Sequence, residues 1–189
     1  MHDDERRPGY GDGRAALIAA TIRVVAAHGV GKLTYRAVAQ EAGVTHGTVQ
    51  HHFANLDALL EAALQHCVEV CLEGSAMITD SARIDDFVAT LGDSVRNTLD
   101  EQVFQFELVL ASRRRPELRP HIDRYYENYR DATRTALKRM GLPDDLHTVD
   151  IVFSALDGLV FRAVSLGGDD LTNLDGQLDR LRELLRQLS

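Results

Sequence analysis

The chain has 189 residues, of which 44% are hydrophobic and 26% charged, enough for one domain or two small ones with a buried core. Its formal net charge of −8, taken over the whole chain, argues against a nucleic-acid binder. No apolar run approaches the ~18–20 residues that span a bilayer, and the first residues lack the apolar stretch of a signal peptide. Two cysteines are too few for a disulfide scaffold, so we expect a cytoplasmic protein.

Helical periodicity runs through most of the chain after a flexible tail predicted over residues 1–13. Apolar spacing predicts a first helix from Arg14 that Gly29 ends. Thr34, Thr45 and Asn55 are typical N-cap residues, so two short helices and a longer one are expected to follow them. Further helices are predicted at about 83–100, 102–114, 117–140, 146–166 and 173–188. No segment alternates with the period of a β-strand, and the predicted fold is all-α with about nine helices.

Charge is distributed unevenly between the two ends of the chain. Residues 1–54 hold six basic and five acidic residues, a net charge of +1, whereas the other 15 basic and 24 acidic residues give −9. This asymmetry indicates a first part that tolerates phosphate and a body whose charge keeps it in solution.

The segment 33–53 has the features of two short helices that meet across a tight turn. Gly43 stands in the turn, where a positive φ angle is favoured. A small core against the first helix is predicted for Val38, Val44, Val49 and Phe53. The outward residues of the second short helix are short, polar and mostly uncharged, which suits base edges and phosphate oxygens. They are Thr45, His46, Gly47, Thr48, Gln50, His51 and His52.

In this order the residues resemble the TetR family of bacterial transcriptional regulators. The shared pattern is a first helix that ends in Gly, then Thr-x-Arg-x-x-Ala-x-x-Ala-Gly-Val-Ser/Thr-x-Gly, a Phe six residues later, and a helix that opens with Leu-Leu. It covers about residues 14–64. The resemblance implies a helix-turn-helix DNA-binding domain over 14–54 and a helical effector-binding and dimerisation domain over 55–189. It also implies a regulator that binds a palindromic operator as a homodimer, most often as a repressor.

The resemblance assigns DNA contacts residue by residue. Phosphate contacts that fix the register are implied for Thr34, Tyr35, Arg36, Thr45 and His52. Major-groove contacts are implied for His46, Thr48, Gln50 and His51, with Gln50 on an adenine and Thr48 on a thymine methyl, while Gly47 lets the helix lie close to the duplex.

Two positions depart from the family pattern. Gln50 stands where an aromatic residue is common and Leu56 where a Lys is common, and both of the usual residues contact the DNA backbone. The free N–H groups after Asn55 offer another phosphate contact. Arg6, Arg7 and Arg14 are expected either to form a minor-groove arm or to belong to a solvated tail.

Residues 55–189 are expected to bind a small, mainly apolar effector that changes the spacing of the two recognition helices. Tyrosine rings with usable hydroxyls suit such a pocket. Residues of these types are more often plain core than pocket wall, and the candidate lining is Phe87, Phe104, Phe106, Leu110, Tyr125, Tyr126, Tyr129 and Phe161. Dimerisation through the last two helices, rather than intramolecular packing, is expected for Val152, Phe153, Leu156, Leu159, Val160, Leu174, Leu178, Leu181 and Leu185.

Other interpretations of the sequence are a thiol sensor, an enzyme and a protein–protein adaptor. Cys67 and Cys71 lie four apart on one helix, where a disulfide would be strained, and small hydrophobes are the simpler interpretation. No Glu-x-x-His, His-Glu-x-x-His or Gly-x-Ser-x-Gly occurs, so we expect no catalysis, no cofactor and no metal. An adaptor would show no salt-sensitive DNA affinity, whereas a regulator would lose affinity steeply with added salt.

Overall fold

The structure, a computed structural model, describes residues 10–78 and 80–188, with side chains from residue 13 onward. Within these ranges the chain forms nine α-helices, three single-turn 3₁₀ helices and no strand, which confirms the predicted all-α fold. The α-helices are α1 (Tyr10–His28), α2 (Tyr35–Glu41), α3 (His46–His52), α4 (Leu56–Gly74), α5 (Leu91–Asn97), α6 (Leu99–Ser112), α7 (Arg119–Arg139), α8 (Leu146–Leu166) and α9 (Gly168–Arg186). The 3₁₀ turns are Val30–Lys32, Ile84–Asp86 and Pro116–Leu118.

Helices α1, α2 and α3 pack on one another around the small core that the sequence predicts. Val38 and Val49 are fully buried, Phe53 is 4% exposed, and Val44 packs against them partly buried. Ala39 is buried where α2 approaches its neighbours, and its small side chain keeps that approach short. The two short helices therefore depend on α1 for their stability, because helices of two turns are marginal alone.

Helices α4 to α9 form the larger part, with its core around Phe104, Leu108 and Leu137. Helix α1 packs along α6 and α4, so the two parts share a continuous apolar interior. Ion pairs also join the start of α4 to the region of α7, since Arg124 lies 3.1 Å from Glu61 and Arg115 lies 3.7 Å from Asp57. These ion pairs, together with the packing of α4 against α7, connect α7 to the part of α4 that follows α3.

Three predicted boundaries differ from the structure. Helix α1 begins at Tyr10, so the end of the predicted tail is helical, and residues 1–9 with Arg6 and Arg7 lie outside the described residues. The helix predicted over 83–100 is a 3₁₀ turn, a bend at Val88 with φ of +49°, and the short α5, and its last two residues belong to α6, which begins at Leu99 rather than 102. Helix α9 starts at Gly168 rather than 173, because Gly167 alone ends α8 and begins α9.

The apolar faces expected to form the dimer interface lie mostly inside the chain. Seven of the nine residues are buried in the core, and Leu159 and Leu181 are partly buried against it. The residues predicted for pairing are therefore occupied by intramolecular packing of α8 on α9, α6 and α7. The large apolar side chains that α8 and α9 expose are others: Leu146, Ile151, Phe161, Leu166 and Leu184.

None of the described helices combines the length and apolar character required to cross a bilayer.

Candidate nucleic-acid interface and ligand cavity

The two short helices are each started by a threonine side chain. Thr34 precedes α2, and its Oγ1 accepts a hydrogen bond of 3.0 Å from the Ala37 N–H. Thr45 precedes α3 in the same way, and its Oγ1 accepts a hydrogen bond of 3.3 Å from the Thr48 N–H. The hydroxyl groups of Thr45 and Thr48 also lie 2.9 Å apart, within hydrogen-bond distance. Both caps are exposed, so these residues hold the helices and also present oxygen atoms at the surface.

A turn at Gly43 fixes the angle between α2 and α3. Its φ angle is +66°, and the Val44 N–H donates to the Ala39 carbonyl at 2.9 Å, which closes the end of α2. Glu41 at that end accepts a hydrogen bond of 2.6 Å from the Nε of Arg23 on α1. Backbone geometry at the turn thus sets the angle of α3 to α2, while the ion pair holds the end of α2 against α1.

One face of α3 is polar and open to solvent. Val49 is the buried residue of this helix, whereas His46, Gln50 and His51 are exposed. Gly47 is also exposed, and a Cβ there would come no closer than 3.9 Å to the Thr45 hydroxyl, so the middle of the face is flat. These are groups able to donate to and accept from base edges in a major groove, on an element narrow enough to enter it.

Of the residues around this face, Arg36 is free to contact DNA, whereas Tyr35 and His52 pack against other residues of the chain. Arg36 on α2 is exposed and has no ion-pair partner among the described residues, which leaves its guanidinium available for a phosphate. The ring of Tyr35 is half-buried and packs edge-on against the His46 ring at 5.3 Å, which links α2 to α3. His52 is half-buried, and its Nε2 lies 3.0 Å from where a Cβ on Gly13 would stand.

The surroundings of Arg14 and of the start of α4, both expected to contact DNA, differ from what the sequence suggested. The Arg14 guanidinium lies over the Phe53 ring, 5.1 Å from its centre, so Arg14 is a helical residue and not part of a free arm. At the start of α4, Asn55 accepts from the Ala58 N–H at 2.7 Å, and Asp57 places a carboxylate in the first turn. That acid opposes a phosphate at this helix end.

A second site lies inside the larger part, among α4 to α8. It is a small, partly open cavity of about 40 Å³. Its walls are mainly apolar and aromatic, with a few polar groups, which is the composition of small-molecule sites. The lining consists of Cys71, Ser75, Met77, Leu91, Gln102, Phe106, Tyr125, Tyr129, Phe153, Leu156, Asp157 and Val160.

The structure brings three of the eight predicted pocket residues to this cavity: Phe106, Tyr125 and Tyr129. Phe87 and Phe104 are at most 1% exposed and belong to the core. Tyr126 is half-buried on the outer side of α7, where its ring approaches the Phe153 ring at 5.9 Å. Leu110 and Phe161 are exposed by 51% and 43%, and Phe161 reaches inward only as far as the edge of the Phe106 ring.

A polar network at one end of the cavity was not predicted from the sequence. The side-chain amides of Gln102 and Gln105 donate to the Cys71 sulfur at 3.2 and 3.4 Å, and the Tyr129 hydroxyl donates to the Gln105 Oε1 at 2.9 Å. Burial raises the pKa of the Cys71 thiol to about 11, and it raises that of Cys67 further. Both cysteines are buried thiols, which favours a packing role over sensing. Glutamines three apart on an apolar helix face were the available signal.

Asp157 is the second feature that sequence reasoning missed. Its carboxyl group is half-buried in the cavity wall, and burial raises its pKa from 3.8 to about 6. It remains mostly ionised at neutral pH. Among the described residues no cluster of three or more His, Cys, Asp or Glu side chains could hold a metal ion.

Comparisons with known proteins place both parts of the chain. A model of bacterial regulatory proteins of the tetR family matches residues 17–63, and a model of the tetracyclin repressor-like C-terminal domain matches residues 80–189. The HTH-type transcriptional regulator BetI of Paraburkholderia xenovorans is 35% identical over 72 residues, which are 38% of this chain and 37% of that protein. The match to this curated relative thus spans little more than a third of its length.

Solved structures resemble nearly the whole chain. A transcriptional regulator from Rhodococcus sp. Rha1 has a TM-score of 0.75 at 22% identity, covering 92% of this chain and 96% of that one, which shows the shared fold. The multidrug binding protein EbrR complexed with malachite green has a TM-score of 0.66 at 27% identity, covering 93% and 96%. The matched families are regulatory proteins rather than enzymes, which confirms the expectation that the chain is not a catalyst.

Proposed function

The chain belongs to the TetR family of bacterial transcriptional regulators, and from this premise we propose that it is a cytoplasmic repressor that a small effector releases from DNA. In this proposal a homodimer binds a palindromic operator, and the effector is mainly apolar. Binding of the effector changes the distance between the two copies of α3.

The observation that carries the proposal is the exposed polar face of α3. A seven-residue helix that buries Val49 and displays His46, Gln50 and His51 is shaped for a groove rather than for a protein interior. Exposed surface helices usually carry Lys and Glu, and α3 has neither. The unpaired Arg36 beside it supplies the positive charge for a phosphate.

A two-fold dimer is supported by apolar side chains that α8 and α9 leave exposed. Ile151 is 70% exposed, Leu166 67% and Leu184 46%, although each lies on a helix whose other face is well packed. A second copy of the chain, related by a two-fold axis, would bury these exposed side chains. Such an axis presents α3 twice, so the operator is expected to contain two inverted half-sites one helical turn or a multiple of it apart.

An apolar effector is supported by the cavity among α4 to α8. At about 40 Å³ it is too small for an organic molecule, so a ligand that enters must move the surrounding helices apart. Because α7 packs against α4 and α4 packs against α1, such a movement is transmitted to the DNA-binding part. The resemblance to EbrR, which binds malachite green, supports a site for flat aromatic molecules.

Selection of duplexes from a random pool tests the proposal. We expect an inverted repeat to be enriched, bound by two chains per duplex as measured by sedimentation velocity. Affinity is expected to fall steeply with added salt. Enrichment of no two-fold-symmetric sequence at low salt, or a monomer at micromolar concentration, would refute it.

A further inference from the structure

We propose that the effector is an organic monocation with an apolar body, bound between the Asp157 carboxylate and the aromatic rings of the cavity. The inference rests on the proposed function, since it assigns a chemical class to the molecule that the regulator senses. It replaces a general preference for apolar molecules by a specific charge.

Asp157 is the one residue with a formal charge among the twelve that line the cavity. It has no hydrogen-bond or ion-pair partner among the described residues. The arginines on the outer side of the same region are engaged elsewhere, because Arg130 pairs with Asp150 at 2.7 Å and Arg119 with Asp123 at 3.0 Å. The negative charge at the cavity wall is therefore left without compensation by the chain.

An uncompensated carboxylate in an apolar wall costs free energy, and a bound cation removes that cost. Burial raises the pKa of Asp157 only to about 6, so the group is mostly ionised at pH 7.5 and attracts a positive charge. An anionic ligand would be repelled. A neutral ligand would leave the charge uncompensated and gain nothing from it.

The rings around the cavity favour an organic cation over a metal ion. Tyr129 and Phe153 stack at 5.9 Å with an interplanar angle of 21°, and Tyr125 meets Tyr129 edge-on at 5.1 Å. Ring faces attract weakly hydrated cations such as quaternary ammonium groups. A hydrated metal ion needs several oxygen ligands, and a single carboxylate among aromatic walls does not supply them.

The charged and titratable groups that face Asp157 lie on α4 and α7. Helices α5 and α6 contribute only uncharged residues to the cavity, namely Leu91, Gln102 and Phe106. Burial raises the pKa values of Cys71, Tyr125, Tyr126 and Tyr129 above their usual range, so these groups stay neutral between pH 5 and 8. Asp157 is then the cavity group whose charge changes in this interval. The set that faces it is Cys71 on α4 and Arg119, Asp123, Tyr125, Tyr126, Glu127, Tyr129 and Arg130 on α7.

Binding of two molecules of the same shape tests the inference. Phenyltrimethylammonium carries the charge, and tert-butylbenzene is its neutral carbon analogue. By calorimetry at pH 7.5 we expect the purified protein to bind the ammonium compound at least about tenfold more tightly, the factor that a desolvated cation–π and carboxylate contact supplies. Lowering the pH to 5 should weaken binding of the ammonium compound and leave binding of the neutral compound unchanged.

Two variants separate the carboxylate from a change in net charge. Asp157→Asn should lower the affinity for the ammonium compound about tenfold without changing the affinity for tert-butylbenzene. Asp144→Asn removes the same charge from an exposed position outside the cavity and should bind both compounds as the original protein does. Thermal unfolding of each variant establishes that it is folded.

Equal affinity for the two compounds, no binding of phenyltrimethylammonium, or an unchanged Asp157→Asn variant would each overturn the inference. Operator binding without any ligand is measured on the same preparations. Its presence alongside one of these results would leave the proposed regulator standing and reject only the cationic effector. Its absence would count against the proposed function itself.

Discussion

The DNA-binding part and the cavity part of this chain are built on opposite plans. The face of α3 consists of residues within seven positions of one another, held by caps and a turn from the same short segment. The cavity takes ten of its twelve residues from five α-helices between Cys71 and Val160, and Ser75 and Met77 come from the segment that follows α4. A local site can be recognised from its sequence, while a site assembled across the fold depends on which faces pack together.

Two phenylalanines from the predicted pocket give the largest contrast in stability. Phe104 is fully buried, so Phe104→Ala should lower the free energy of unfolding by about 3–5 kcal/mol. Phe161 is 43% exposed, and Phe161→Ala should cost far less. Urea unfolding followed by circular dichroism measures both. Equal losses would mean that the division of the cavity part into core and surface is wrong.

Gln50 and Arg36 divide the DNA-binding part into base recognition and backbone attachment. Gln50→Ala should alter preference at one base pair by about 1–3 kcal/mol, because a bidentate contact to a base is lost. Arg36→Ala should weaken binding to all duplexes alike and reduce the salt dependence by about one phosphate contact. Fluorescence anisotropy on operator variants at several salt concentrations distinguishes the two, and the reverse ordering would reject these roles.

Thr45 tests whether the cap supports the recognition helix. Thr45→Ala removes the oxygen that accepts from the Thr48 N–H and should cost about 1 kcal/mol of stability, together with operator affinity. Thr45→Ser keeps the oxygen and serves as the matched control. If the alanine variant melts and binds as the serine variant does, the cap does not organise α3.

Asp157 affects how the stability of the cavity part depends on pH. Its pKa is raised in the folded chain, from 3.8 to about 6, so the folded state holds the proton more tightly than the unfolded state does. This contribution to stability is complete below pH 3.8 and is lost as the pH rises through about 6. Asp157→Asn should therefore melt a few degrees higher than the original protein at pH 7.5.

The difference in melting temperature between Asp157→Asn and the original protein should disappear towards pH 4, where Asp157 is protonated in the folded chain. Asp144→Asn, at an exposed position, should show no such trend. A constant difference across this interval would mean that the carboxyl group at the cavity wall is not destabilised by burial.

The sequence was sufficient to predict the helices and turn of the DNA-binding part. Thr34, Thr45 and Asn55 are the N-caps that their residue types indicate, and Gly43 has the positive φ angle that the turn requires. These features depend on neighbours within four residues. Their contacts with DNA stay predictions.

Long-range packing explains what the sequence could not supply. An apolar stripe indicates burial but not the partner, so residues such as Leu156 and Leu178, expected at a dimer interface, pack within the chain. The bend at Val88 interrupts a periodic segment without Gly or Pro to mark it. Asp157 has no distinguishing neighbour in sequence, and its importance arises only where α7 and α8 enclose it.

In the proposed mechanism, the small volume of the cavity, about 40 Å³, sets the threshold of the response to the effector. Every molecule that fills it must first do work against the packed helices, and that work is subtracted from its affinity. Substitutions that widen the cavity would make the regulator react at lower concentrations, at the expense of selectivity. The two binding events are thermodynamically linked. If the effector lowers the affinity for DNA, bound DNA lowers the affinity for the effector by the same factor.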